Sequence, residues 1–220
     1  ARLAVVGAWG APLREARVSS VVLDTVPLAQ GQVCTAELQE GRHVLQGEGA
    51  PLRELSRRLR GELGPGRILI RGEEVARSPA LRRRVVHWGS ELPPRTTGTV
   101  VDWLADVQAL RGVSGSVRSW LERWEQPSLA ERLVPSLSVD EWRRVVMVAQ
   151  LMTESPVLVA LSGASADCGG LDSARVEAQV QRWAEAAPVL LLTTEAPRAG
   201  WATASQWRLD ARGLLRVSAW

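Results

Sequence analysis

The sequence predicts an α/β fold with an inserted all-α lobe, and three observations support this prediction. Two fully apolar runs, Val157–Leu161 and Val189–Leu192, have the composition of parallel strands that are covered on both faces. A short strand ending near Gly47 leads through a glycine-rich turn into a segment whose leucines recur at helical spacing. Residues 99–137, between these parts, show helical periodicity and no strand pattern.

The first half of the chain is predicted to contain strands and one helix. Apolar and polar residues alternate from Val33 to Leu38, as they do in a strand with one buried face. Leu52, Leu55 and Leu59 lie on one side of a helix that ends at Gly61. The predicted strands are Val18–Leu23, Gln32–Leu38, His43–Gln46, Arg67–Ile70 and Val85–Trp88.

The second half alternates helices with buried strands. Apolar residues recur at helical spacing from Thr99 onward, until Gly112 and Gly115 interrupt the pattern. Asp140–Met152 is an amphipathic helix, and Pro156 precedes the first apolar strand. The remaining predicted elements are the helix Ser173–Ala186 and a closing hairpin of Trp207–Leu209 and Leu214–Val217.

The composition excludes several classes of protein. No apolar run approaches the roughly 18 residues that a membrane span requires, and Arg2–Trp9 lacks the basic leader of a signal peptide. Cys34 and Cys168, far apart in sequence, fit a reducing compartment better than a disulfide framework. The net charge of +3 is small, and acids are interspersed with the arginines, so we do not expect a strong field for nucleic acid.

The chain lacks lysine, asparagine, phenylalanine and tyrosine, and all ten aromatic residues are tryptophan. Codons for the missing residues are poor in G and C, so a bacterial genome of high G+C content is the expected source. We therefore expect tryptophans to fill core positions where phenylalanine or tyrosine would otherwise pack.

Six segments, in chain order, resemble the landmarks of ABC-transporter ATPase domains. No single segment is specific, but their common order is. One is Leu137–Arg144, which starts a helix about 20 residues before an apolar strand, as the signature motif of that family does before Walker B. The other segments are Glu40–Gly61 (Walker A strand, loop and helix), Gly66–Gly72 (the following hairpin), Leu81–Trp88 (the strand before the Q-loop), Gly170–Asp172 (D-loop) and Val189–Glu195 (the strand of the switch histidine).

The resemblance implies a P-loop NTPase-like ABC ATPase core with an N-terminal antiparallel β subdomain and an inserted all-α subdomain. It implies one domain over residues 1–220. Residues 1–89 and 141–220 would form the α/β core, and residues 90–140 would form the helical subdomain.

The segment that resembles Walker A departs from the family pattern. Gly47 and Gly49 keep the glycines of a phosphate loop, but Pro51 removes a backbone donor. Leu52 stands where a magnesium-binding hydroxyl is required, and the chain contains no lysine to neutralise phosphate charge. Arg53 is the candidate substitute for the lysine, one or two residues late.

The other catalytic positions are also replaced. Leu161 and Ser162 match the two Walker B carboxylates, Ser90 matches the Q-loop glutamine, and Thr194 matches the switch histidine. Because phosphoryl transfer depends on these metal-side and water-side groups, we expect no hydrolysis, no catalytic residue and no metal site. We therefore expect no cofactor and doubt that ATP with magnesium binds.

Ser138 matches the signature hydroxyl that meets the γ-phosphate of the opposite subunit, although it is also a good helix N-cap. Val139 and Asp140 replace the glycines that follow, which adds bulk and negative charge. We assign no role to the loop Gly163–Gly170, which is longer than the family spacing. His43 and His87 are expected to be structural strand residues.

The resemblance and the missing chemistry together predict a catalytically inactive subunit that scaffolds or regulates an ABC transporter complex. It would pair with an ABC ATPase subunit or with itself and dock on a membrane permease, at the cytoplasmic face of the cell membrane. Trp88 and Trp103, near the groove that receives a permease helix in this family, are candidates for the dock, with core packing as the alternative.

Two other functions remain open at the level of sequence. One is a soluble assembly module that acts outside transport through the ancestral dimer face. The other is a nucleic-acid-associated ABC-like protein, in which Arg57, Arg58 and Arg60 contact phosphates together with Arg82–Arg84. A solvated helix end is the simpler interpretation of Arg82–Arg84, and a nucleic-acid partner is not expected.

Overall fold

The computed structural model describes residues 21–27, 33–47, 49–89, 92–162, 171–196, 201–210 and 213–217. Within these residues the chain forms ten strands and six α-helices. The strands are β1 (Val21–Pro27), β2 (Val33–Leu38), β3 (Gly41–Gly47), β4 (Arg67–Ile70), β5 (Glu73–Glu74), β6 (Val85–Trp88), β7 (Leu158–Ser162), β8 (Pro188–Thr193), β9 (Ser205–Asp210) and β10 (Gly213–Val217). The helices are α1 (Gly49–Leu59), α2 (Pro79–Arg83), α3 (Val100–Arg111), α4 (Val117–Arg123), α5 (Val139–Leu151) and α6 (Ser173–Ala184).

An antiparallel sheet is built from the N-terminal strands in the order β2-β1-β4-β5. β1 and β4 are the inner strands, and β1 pairs antiparallel with both β2 and β4. Gly66, in the turn before β4, has a φ of 75°, and a Cβ at this position would lie 2.4 Å from the Thr25 carbonyl oxygen. Only glycine therefore fits where this turn meets β1. The predicted antiparallel β subdomain is confirmed.

The first strand ends later than the predicted Val18–Leu23, and residues 18–20, where it was predicted to begin, lie outside the described ranges. Its pairing with β2 resumes beyond an irregularity between Leu23 and Val26. Within that irregularity Thr25 has a φ of 49°, and its backbone N–H donates to Thr35 Oγ1 at 3.3 Å. A bulge of this kind lengthens a strand without extending its alternation, so the end of β1 was not predicted.

The second sheet is mainly parallel and has the order β10-β9-β3-β8-β7-β6. β3 lies parallel to β8 and β9, and β7 lies parallel to β8 and β6. The closing hairpin of β9 and β10 is confirmed. Because parallel strands end at the same edge of a sheet, the residues that follow β3, β6, β7 and β8 meet at one edge, where α/β proteins commonly bind ligands.

Apolar side chains cover both faces of the parallel sheet. Consecutive residues of β3 point to opposite faces: Val44 belongs to one hydrophobic cluster and Leu45 to the other. The Leu45 cluster also includes Leu55 of α1 and core residues of the antiparallel sheet. The Val44 cluster extends into the helical insert and contains Leu104 of α3. The sheet is thus the middle layer that holds both parts together.

The insert consists of α3, α4 and two short 3-10 turns, Pro127–Leu129 and Val134–Ser136. Thr99 starts α3 with a capping box, in which its side chain accepts from the Asp102 N–H and the Asp102 carboxylate accepts from the Thr99 N–H. Gly112 ends α3 in the left-handed conformation, with a φ of 66°. Both boundaries follow from the local sequence.

Tryptophans form much of the core, as the composition predicts. Six of them are buried: Trp88, Trp120, Trp124, Trp142, Trp183 and Trp201. Cys34 is a free, buried thiol, and burial raises its pKa to about 12. A thiol with so high a pKa is unreactive at neutral pH. Among the described residues, no helix combines the length and apolarity that a membrane span requires.

Candidate functional site

The carboxyl edge of the parallel sheet brings several predicted positions together. β3 ends at Gly47, β7 ends at Ser162, and the backbone leaves β6 at Gly89. A Cβ at Gly89 would lie 2.8 Å from Ser162 Oγ, so these two strand ends are in close contact. Thr194 follows β8 and is exposed. Ser90 and Glu48 lie outside the described residues.

Packing within the sheet accounts for the glycine at position 47. A Cβ at this position would lie 2.8 Å from the Leu209 Cβ and 3.0 Å from the Leu209 carbonyl oxygen. Leu209 belongs to β9, which pairs with β3 at this point, and its side chain is buried. The neighbouring strand therefore requires a glycine here whether or not a phosphate binds.

The first turn of α1 carries Gly49, Ala50 and Pro51, and proline supplies no backbone donor. The Arg53 side chain folds back over this turn, so that its terminal nitrogen lies 3.1 Å from the position of a Cβ on Gly49. Arg53 is exposed and has no hydrogen bond or ion pair within the described part of the chain. A cation therefore lies beside the positive end of the helix dipole.

The end of β7 carries no carboxylate. Leu161 is 6% exposed and packs in the Val44 cluster. Ser162 is half-buried, and its hydroxyl donates to the Trp88 carbonyl oxygen at 3.5 Å. β8 ends nearby in a turn, where Thr193 Oγ1 accepts from the Glu195 N–H at 3.1 Å.

Ser138 is the N-cap of α5. Its hydroxyl accepts from the Glu141 N–H at 3.2 Å, and Glu141 Oε2 accepts from the Ser138 N–H at 2.7 Å. The pKa of Glu141 is lowered, first by the backbone hydrogen bond from Ser138, and Arg132 adds an ion pair at 2.9 Å. The capping interpretation of Ser138 is confirmed. Val139, beside it, is 57% exposed, and Asp140 pairs with Arg143 at 3.0 Å.

A groove of about 570 Å³ lies beside the end of β6, between the sheet and helices α3 and α5. The partly exposed side chains of Trp103, Val107 and Val146 give it apolar surface, and the buried Trp88 and Met147 also line it. Trp103 also packs edge-on against Trp142, with ring centroids 4.6 Å apart. Sequence reasoning left two roles open for Trp88 and Trp103. In the structure, Trp88 and Trp103 each pack against core residues and also line the groove.

Four arginines line the same groove: Arg60, Arg82, Arg111 and Arg143. Arg60 pairs with Glu62 at 3.5 Å and Arg143 pairs with Asp140 at 3.0 Å. No acidic residue lines the groove among the residues that the structure describes. The groove thus combines an apolar surface with positive charge.

The two histidines lie on strands, as predicted. His43 is buried, with Nε2 2.8 Å from the Gln39 carbonyl oxygen, and the Trp207 Nε1–H donates to His43 Nδ1 at 3.3 Å. His87 Nε2 lies 2.6 Å from Ser56 Oγ, and its ring lines the groove. Both rings are held in hydrogen bonds within the fold.

The arginines around the end of α1, predicted as candidate phosphate contacts, bind other groups of the chain. Arg57 and Arg60 form ion pairs with Glu62. Arg58 is 6% exposed, and its guanidinium donates to the carbonyl oxygens of Glu62, Gly64, Pro65 and Gly66. It is therefore not available to phosphate, which corrects its inclusion in that set. Arg82–Arg84 are exposed at the end of α2, as expected for a solvated helix end.

Comparison with solved structures shows which known fold the chain shares. An ATP-binding subunit of an ABC transporter matches with a TM-score of 0.69 and 19% identity, over 90% of this chain and 89% of that chain. The chain has the ABC ATPase fold. An ABC-transporter-type ATP-binding protein from Pyrococcus furiosus matches with a TM-score of 0.61 and 14% identity, over 82% of this chain and 94% of that one.

A third structure with the ABC ATPase fold comes from Clostridium perfringens and is part of an ABC transporter complex. It matches with a TM-score of 0.59 and 14% identity, over 89% of this chain and 86% of that one. No protein-family profile matches the sequence, and no curated protein matches it. The similarity therefore lies in the fold and not in overall sequence.

The ABC ATPase fold implies a magnesium nucleotide at the carboxyl edge, but the side chains placed there do not fit one. Magnesium takes oxygen ligands, usually one or two carboxylates together with substrate phosphates. At the end of β7 the chain offers the buried alkyl group of Leu161 and the hydroxyl of Ser162. Among the described residues, no group of three or more His, Cys, Asp or Glu side chains could hold a metal ion.

Sequence reasoning missed the arginines of the groove. Arg111 is the last residue of α3 and Arg143 lies in α5. Each stands on a helix where a basic residue is ordinary, and a cation at a helix end needs no special explanation. Their approach to Trp88 and Trp103 depends on long-range packing, so no local signal could have identified them.

Proposed function

We propose that the chain is a non-catalytic ABC ATPase-like subunit that docks on a membrane permease through the groove beside β6. It would act at the cytoplasmic face of the membrane as a scaffold or regulator. It would pair with an ABC ATPase subunit or with a second copy of itself. The observation that carries the proposal is the contrast between an apolar, arginine-lined groove and a β7 end without carboxylates.

The groove supports docking because its chemistry is that of a protein interface. An apolar groove between a sheet and helices is a surface into which an amphipathic helix of a partner can pack. Tryptophan and arginine are the residue types most enriched at the centres of interfaces. Both line this groove, at Trp88, Trp103 and Arg111.

The β7 end supports the non-catalytic part. In-line attack on a γ-phosphate needs a metal-side acid and a group that orients water. Leu161 and Ser162 supply neither group, Arg53 stands alone at the start of α1, and the chain has no lysine.

Photo-crosslinking from α3 tests the docking. A benzoylphenylalanine is placed at Val107, which lines the groove, and a matched control probe is placed at Leu110, which is 68% exposed on the same helix. After irradiation in cells of the source organism, we expect the Val107 probe to capture an integral membrane protein, identified by mass spectrometry. The proposal fails if the Val107 probe captures no membrane protein above the Leu110 level.

Phosphate release tests the loss of catalysis. The purified chain with ATP and magnesium should release no phosphate above a buffer control. An intact ABC ATPase assayed beside it should turn over at the usual rates of roughly 1 s⁻¹ or more. Turnover that follows this chain through purification and is abolished by Arg53→Ala would overturn the proposal.

A second candidate function is self-assembly outside transport, and one observation favours it. Leu133 and Val139, on either side of Ser138, are both 57% exposed. Both lie close in sequence to the start of α5, where the chain resembles the signature region, so this stretch offers exposed apolar side chains for self-association. Light scattering distinguishes the two functions, because a stable homodimer that Val139→Glu dissociates, with no membrane crosslink from Val107, would favour self-assembly.

A further inference from the structure

Arg111 is a cation without a counter-charge on the wall of the groove. Its guanidinium donates to Thr153 Oγ1 and, at 2.6 Å, to Gln150 Oε1, both of which are neutral acceptors. No carboxylate pairs with it in the part of the chain that the structure describes. The side chain is partly buried, and this burial lowers the pKa of Arg111 to about 10, so the guanidinium stays charged at neutral pH.

A partly buried cation that has only neutral acceptors is incompletely compensated in the free chain. Burial removes water from a charge, and neutral acceptors replace only part of the lost solvation. An anion that binds Arg111 would replace the rest of the lost solvation. The ion pair would therefore be more favourable here than at a fully hydrated arginine. The other three arginines of the groove add positive charge, and two of them are paired with acids: Arg60 with Glu62 and Arg143 with Asp140.

The apolar side of the groove limits the kind of anion that fits. Trp103, Val107 and Val146 lie on helices α3 and α5, which form two walls of the groove. A free phosphate would leave these walls exposed to water. A peptide segment with an apolar ridge would cover them and could also bring a carboxylate to Arg111.

We propose that the groove selects an acidic amphipathic segment of its partner, and that Arg111 receives a carboxylate of that segment. This inference rests on the docking role proposed above and adds the chemistry of the docked segment. The first 20 residues of this chain carry three arginines and one glutamate. Their charge does not complement the groove, and we therefore assign the groove to an acidic segment of a different chain.

Peptide binding to the full chain tests the selection. The probe is a short fluorescein-labelled peptide with leucines at helical spacing and two flanking glutamates, and its matched control carries glutamines instead. Fluorescence anisotropy should show that the glutamate peptide binds at least about tenfold more tightly. Salt should reduce this preference, because the difference between the two peptides is one of charge.

Substitutions assign the preference to Arg111. In Arg111→Gln the two peptides should bind alike. In Arg111→Lys, which keeps the charge but loses the planar fork, part of the preference should remain. Arg208→Gln makes the same charge change at an exposed arginine of β9 outside the groove, and it should leave the preference intact. Circular dichroism and thermal unfolding establish that each variant is folded.

The outcomes separate this inference from the docking role. Equal binding of the two peptides to the unaltered chain, or no binding of either, overturns the acidic selection. In both cases a membrane crosslink from Val107 would still support docking. If the Val107 crosslink is absent but the glutamate peptide is still preferred, docking on a permease is contradicted, whereas the selection of an acidic segment is supported.

Discussion

The carboxyl end of β7 and the groove beside β6 lie on adjacent strands, yet they carry opposite kinds of side chain. At β7 the residues are Leu161, packed in the core, and Ser162, bonded to a neighbouring backbone carbonyl. In the groove they are tryptophans and arginines, including the unpaired cation of Arg111. Leu161 is explained by its packing in the core, whereas the partly exposed guanidinium of Arg111 has only neutral acceptors among the described residues. The comparison therefore favours the groove as the surface with a function.

The largest expected effect tests whether the β7 end is now part of the core. Leu161→Asp should lower the free energy of unfolding by about 3 kcal/mol or more, because it removes a buried alkyl group and buries an unpaired carboxylate. Urea unfolding measures the change. Leu161→Val is the matched control and should cost about 1 kcal/mol.

A stable Leu161→Asp variant would contradict the assignment of the β7 end to the core. If Leu161→Asp combined with Ser162→Glu remained as stable as the unaltered chain and released phosphate from ATP, the β7 end would still be a usable metal site. We expect the double variant to be destabilised and inactive, since neither new carboxylate would find a metal ligand set among the described neighbours.

An intermediate effect is expected at the start of α5. Ser138→Ala removes the cap and should cost about 1 kcal/mol. The loss of unfolding free energy caused by Ser138→Ala should depend on pH, because folding lowers the pKa of Glu141. The capping box therefore stabilises the fold at pH values above the ordinary pKa of a glutamate. That stability is lost as the pH falls through the lowered value, so the difference between Ser138→Ala and the unaltered chain should shrink on acidification.

Thermal unfolding between neutral pH and about pH 3 measures this dependence. Ser136→Ala is the control, because the Ser136 hydroxyl donates to the Leu133 carbonyl oxygen and caps no helix. A Ser138→Ala variant with unchanged stability but altered ATPase activity of a partner subunit would assign Ser138 a role beyond capping.

The smallest effect is expected at Arg53. Arg53→Ala should change the free energy of unfolding by no more than about 0.5 kcal/mol, since the side chain is exposed and unpaired within the described residues. Titration calorimetry with ATP and magnesium should give no binding heat for either form. Arg57→Ala, at an exposed position of the same helix, is the control, and ATP binding that only Arg53→Ala removes would show that the first turn of α1 still holds phosphate.

Local patterns were sufficient for most elements of the fold. Arg67–Ile70 and Val85–Trp88 are strands with the predicted bounds, because apolar runs flanked by turn residues carry enough information. The end of β1 was not predictable, because the bulge at Thr25 depends on its contacts with Thr35 and with the turn at Gly66. Those partners are distant in sequence.

The site was predictable only in part. The positions at the strand ends follow from motif order, and the structure places Gly47, Ser162 and Thr194 at one edge of the sheet. The arginine-lined groove was not predictable, because Arg111 and Arg143 come together only through the packing of α3 and α5. The groove is a property of tertiary structure with no motif of its own.

The contact between Leu209 and Gly47 bears on how the history of the chain is interpreted. A Cβ at residue 47 would collide with Leu209, so mutations away from glycine are removed by folding alone. A glycine at this position can therefore be retained for packing alone. Its presence is no evidence for or against nucleotide binding by a chain of this fold.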